Sequence, residues 1–219
     1  IKTVLLHQSM TDLNRNQELI NALSRNEDLM TDLLIAVKTI CKQYPPAKNE
    51  NKFIYGKLIE KKIIEVINKI LPCIELDADK KVGSEYKNDC SICFEDGYIL
   101  DYSIKASKNG GSPTLVNKRN KSEHDVNKCY FIICHIAKER LYIFNHSDDL
   151  NTFLKDSPES IQYKSAVFRY LDKSPDNYFQ FPKNEKMRKF NNEILPEIKS
   201  VDIYSKLLED LEEFITHYT

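Results

Sequence analysis

The chain has no tryptophan, only 5 glycines and 8 prolines in 219 residues, and no excess charge of either sign. Scarce glycine and proline exclude a collagen-like or low-complexity chain, and 41% hydrophobic residues suffice for a sizeable core. No apolar run approaches the roughly 18 residues that cross a bilayer, so no membrane partner is expected. Lys and Arg number 32 against 33 Asp and Glu, a net charge of −1 with a pI near 6.6. That balance argues against an indiscriminate, strongly basic nucleic-acid coat, and any basic footprint has to be local. No secretory signal precedes the six cysteines, Cys41, Cys73, Cys90, Cys93, Cys129 and Cys134. A chain this long needs no disulfide staples, so reduced thiols in a soluble, intracellular (cytoplasmic) protein are expected.

The apolar positions that are present fall into patterns. Leu13, Ile20, Leu23, Met30, Leu34, Val37 and Cys41 recur at three- and four-residue steps if Asn16 and Glu27 are allowed as interruptions. This predicts one long amphipathic helix over about 9–43, ended by Tyr44-Pro45-Pro46 and packed on the chain's own core or on a second copy. Residues 45–51 read as a linker. Leu58, Ile59, Ile63, Val66, Ile67 and Ile70 share one face of a second helix over 53–71. From Cys90 the pattern shortens: a run to Phe94, a Glu95-Asp96-Gly97 turn, and a run over 98–105 predict a hairpin. Residues 109–113 form a loop, and runs at 129–136 and 141–144 predict two more strands. A helix near 148–154, a strand within 162–171 and a final helix over 200–218 complete the reading. The fold class expected is α/β, with a mixed central sheet flanked by helices. The expected division is an N-terminal helical segment (1–50), a core (51–147) and a helical C-terminal accessory part packed on it (148–219).

One constellation carries chemistry. Glu60 lies on the second helix, Asp89 opens the hairpin, and Asp101, Ser103 and Lys105 alternate along its second strand, so these three share one face. Two carboxylates and an ammonium at one sheet edge suit a divalent metal and a phosphodiester. Hydrolysis there requires an in-line hydroxide and stabilisation of charge on phosphate and leaving oxygen. Asp89 and Glu60 are the expected metal ligands, and Lys105 orients the attacking water or offsets phosphate charge.

At these residues the chain resembles the PD-(D/E)xK nuclease superfamily, over roughly 53–146. Asn88-Asp89 stands where that family has Pro-Asp, Ser103-Ile104-Lys105 where it has (Asp/Glu)-x-Lys, and Glu60 where many members carry a glutamate on the preceding helix. The resemblance implies a restriction-endonuclease-like fold, Mg²⁺, and cleavage of double-stranded DNA, in the manner of a type II restriction enzyme acting as a homodimer. Ser103 departs from the pattern by replacing the second acidic ligand, which leaves Asp101 or Glu60 to supply the missing charge. The stretch after the catalytic strand has basic residues and no acid from 105 to 121. Lys108, Asn109, Asn117, Lys118, Arg119 and Lys121 are therefore the expected DNA-binding side chains. A second basic cluster, Lys183, Lys186, Arg188 and Lys189, sits among Phe179, Phe181 and Phe190. Two alternatives stand beside the enzyme: the same fold with a degraded site that binds DNA or a partner, and a structural zinc site built from Cys90, Cys93, Cys129 and Cys134.

Overall fold

The computed structural model describes residues 15–45, 49–75, 88–108, 113–117, 129–158 and 160–201, with backbone alone at 49–53 and 116–117. Residues 15–24 form helix α1, followed by α2 (Glu27–Gln43) and α3 (Asn49–Ile67). The single helix expected over 9–43 is thus two, and Asn26 explains the break. Its side-chain amide donates to Ala22 O at 2.8 Å, and its N–H donates to Leu23 O at 3.0 Å. A short amide competes in this way with regular helical bonding. Glu27 and Asp28 then open α2, where the helix dipole favours acids. Helix α3 starts at Asn49, inside the expected linker.

Among the described residues nine strands follow: β1 (Cys73–Glu75), β2 (Cys90–Cys93), β3 (Ile99–Ser107), β4 (Thr114–Asn117), β5 (Tyr130–His135), β6 (Arg140–Asn145), β7 (Leu154–Asp156), β8 (Ser160–Tyr163) and β9 (Tyr178–Gln180). Six make a mixed sheet in the order β1-β2-β3-β5-β6-β9, and β4-β8-β7 make a second sheet. Only β3 and β5 run parallel; the other neighbours in the large sheet are antiparallel. The β2–β3 turn needs Gly97, whose φ of 81° lies where a side chain would be strained.

Alternation along the strands gives the large sheet two buried faces. Leu100, Tyr102, Ile104 and Ile132 face one core with Leu19, Leu34, Val37 and Ile63 of the three helices. Phe131, Ile133, Tyr142 and Phe144 face a second core with Tyr163 of the small sheet and Phe168 of α4 (Ala166–Leu171). The amphipathic stripe of α1 and α2 therefore packs on the chain's own core, with Leu19, Leu23, Met30 and Leu34 fully buried.

The C-terminal part differs most from expectation. The helix expected near 148–154 is a 3-10 turn (Asp148–Phe153) running into β7, and the strand expected within 162–171 is β8 followed by α4. The final helix over 200–218 lies outside the described residues from 202 onward. Strand β9 extends the large sheet, and β7 and β8 join β4 in the small one.

Candidate active site

Strand β2 starts at Cys90, so beyond Tyr102 the longer β3 has no strand partner on that side among the described residues. Asp89 fills the gap. Its N–H donates to Tyr102 O at 2.8 Å, and its Oδ2 accepts the Ile104 N–H at 2.6 Å. An aspartate at the strand start thus replaces the missing neighbour for a backbone donor that burial would otherwise leave costly. The same Oδ2 also accepts from Ser103 Oγ at 3.1 Å and from Lys105 Nζ at 3.2 Å. Oδ1 has no hydrogen-bond partner among the described residues. The Asp89 and Lys105 side chains are 15% and 24% exposed, sheltered yet reachable.

Glu60 belongs to this group electrostatically. Burial raises its carboxyl above the ordinary range, and the nearby Asp89 charge raises it further, while Lys57 and Lys105 oppose the rise. Lys57 Nζ donates to Glu60 Oε1 at 2.7 Å, and that bond chiefly raises the lysine in turn, with Asp89 and Glu75 adding smaller attractions. Lys57 was not singled out from the sequence. Its position three residues before Glu60 on a helix was the available signal.

Asp101 lies opposite Ser91 on β2 and accepts from Ser91 Oγ at 2.5 Å. Ser103 is buried and spends its hydroxyl proton on Asp89, which makes it a holder of that carboxylate. An acid at 103 would repel Asp89 instead of donating to it.

The donor set is therefore two carboxylates, Asp89 with one open oxygen and Glu60. Among the described residues no group of three or more His, Cys, Asp or Glu could hold a metal ion. Magnesium asks for less: one or two carboxylates suffice, with waters and substrate phosphate completing the octahedron. The hard oxygens of Asp89 and Glu60 fit that requirement. Zinc is a poorer match. All six cysteines are free, Cys90 and Cys134 lie in the first core, Cys129 in the second, and half-buried Cys93 faces away from Cys90.

Of the expected DNA contacts, Lys108 follows β3 directly and borders a cavity against α2. Asn117 ends β4, with its side chain not described, and Asn109, Lys118, Arg119 and Lys121 lie outside the described residues. The second basic cluster is largely committed to the protein itself. Lys186 pairs with Asp32 and Arg188 with Glu185, while Phe179, Phe181 and Phe190 are core residues, buried and closed to nucleobases. No helix among the described residues is long and apolar enough to cross a membrane. Comparison with protein-family models, with curated proteins and with solved structures gave no match.

Proposed function

We propose that the protein is a magnesium-dependent endodeoxyribonuclease of the PD-(D/E)xK kind, a restriction-endonuclease-like fold that hydrolyses phosphodiester bonds in double-stranded DNA. The observation that carries this reading is the convergence of Ser103, Ile104 and Lys105 on a single oxygen of Asp89, with the other oxygen open and Glu60 bearing on both charges. The helix–hairpin–parallel-strand succession of α3, β2–β3 and β5 supports it, because the motif residues occur in the order the resemblance requires.

Asp89 Oδ1 and the Glu60 carboxylate hold the ion, and Ser103 and the Ile104 N–H keep Asp89 from turning away. A bound Mg²⁺ supplies positive charge to the scissile phosphate and acidifies a water. The Lys105 ammonium, 3.2 Å from Asp89, orients the attacking water and offsets charge on the phosphate oxygens. Sequence-specific cutting of both strands, as in a type II restriction enzyme, calls for two such sites, hence a homodimer. The α1–α2 stripe does not form that interface, since it packs inside the chain.

The test is incubation of the purified chain with plasmid DNA and Mg²⁺, beside Asp89→Ala and Lys105→Ala. Discrete fragments that disappear with either substitution support the nuclease. An intact plasmid with a retained gel shift would favour a binding module with a degraded site.

A further inference from the structure

A cavity of about 550 Å³ opens between the C-terminal half of α2, the residue after β3, the β5–β6 turn and residues 191–196, and it shares no lining residue with the Asp89 group. Its size is that of a pocket for a small organic ligand. Hydrocarbon from Ile136, Ala137, Leu195 and Pro196 covers much of the wall. The polar part of the lining is unbalanced: Lys38, Lys42 and Lys108 against the single carboxylate of Glu139. Lys38 is already engaged, with Nζ 2.5 Å from Glu139 Oε1 and 2.9 Å from Asn191 Oδ1. Lys42 and Lys108 have no carboxylate partner among the described residues.

The three lysines border the same cavity. Lys38 and Lys42 are four residues apart on one helix face, and Lys38 and Lys108 are both near enough to act on the Cys41 thiol. Burial outweighs those cations and pushes the Cys41 thiol up to about 11, so it stays protonated at neutral pH and is no nucleophile. The wall is also prebuilt. Glu139 has a φ of 53°, left-handed for a residue with a side chain. Its carbonyl is fixed by the Phe181 N–H at 3.0 Å and Gln180 Nε2 at 2.8 Å. Such a conformation persists only where its surroundings impose it. Among the described residues no aromatic ring lines the cavity, so a nucleobase finds none of them to stack on.

We propose that this cavity binds an aliphatic carboxylate, its head between Lys42 and Lys108 and its chain against Ile136 and Leu195. Two unpaired cations select the anion, and the apolar wall selects the body. The site takes none of the Asp89 group but shares Lys108 with the DNA contacts expected of the nuclease.

Calorimetric titration of the full chain with decanoate tests it, with decanol as the uncharged analogue of equal length. One saturable site is expected, with decanol at least about tenfold weaker. The Lys42→Ala/Lys108→Ala variant, which removes only surface amines, should also bind decanoate at least about tenfold more weakly at an unchanged melting temperature. Raising salt should weaken decanoate and leave decanol unaffected. Equal affinity for decanoate and decanol, or for the chain and its variant, overturns the proposal. So does the absence of saturable binding. That last result is the one expected if the residues after Val201, five acids against one lysine, fill the cavity instead; the Val201 N–H already donates to Gln43 O at 2.8 Å, next to Lys42.

Discussion

Ser103 is the residue on which the candidate site turns. It is 6% exposed and donates to Asp89, so its replacements separate holding from ligation. Ser103→Ala removes one hydrogen bond and should cost about 1 kcal/mol in denaturant unfolding, with or without magnesium. Ser103→Asp buries a second negative charge against Asp89 and should cost about 1–3 kcal/mol without the metal, much of it recovered when Mg²⁺ is added. A loss that Mg²⁺ leaves untouched would mean that no cation binds here. Glu60 makes a related statement through pH. Its folded carboxyl is raised above the ordinary 4.5, first by burial. Its contribution to stability is therefore complete below that ordinary value and is lost as pH rises through the raised one. Glu60→Gln should melt higher than the parent from the top of that interval upward, the gap should close in acid, and Mg²⁺ should narrow it at neutral pH. The lost Lys57 ion pair changes little, because Lys57 is 57% exposed. Melting curves across this interval that keep the two proteins at a constant separation would remove Glu60 from the site.

Elements show where local pattern suffices and where it does not. Helix α3, the β2–β3 hairpin and strands β5 and β6 were legible because each carries its own period, and Gly97 marks a turn that demands a positive φ. The α1–α2 break was not, since it depends on the Asn26 amide finding Ala22 O. The small sheet was equally hidden: its strands are three or four residues long and pair across some forty positions, from β4 to β8. At the site, alternation predicts Asp101, Ser103 and Lys105 on one face, but the hydrogen bond from Ser91 to Asp101 depends on the β2–β3 register, which the sequence does not show. Asn16, read as a flaw in the helical stripe, is 2% exposed and accepts the Tyr102 hydroxyl at 2.9 Å. It ties α1 to β3. Asn16→Leu strands that hydroxyl in the core and should cost about 1–3 kcal/mol, whereas Asn16→Leu with Tyr102→Phe should recover most of the loss. Additive losses in that double-mutant cycle would deny the link.

At the scale of the whole molecule, one core runs from Leu19 of α1 to Phe190 near the C-terminal end, with the Tyr102 and Ile104 neighbours of the site inside it. Phe179 is the most exacting probe of that continuity. It lies on β9, opposite Leu141 of β6, 5% exposed, with its ring edge-on to Phe181 at 5.5 Å. Phe179→Ala should cost about 3–5 kcal/mol through lost contact and an unfilled cavity. A domain of ordinary stability survives that at room temperature, with roughly 5–15 kcal/mol to lose. If the C-terminal strand and the Asp89 edge belong to one cooperative body, the variant melts in a single transition at a lower temperature. Backbone circular dichroism and the emission of its tyrosines (there is no tryptophan) should then fall together, and Mg²⁺ should shift the transition by as much as it is expected to shift that of the parent chain. Two separated transitions, with only the upper one responding to magnesium, would instead make β9 a detachable annex and leave the candidate site on a smaller, self-sufficient unit.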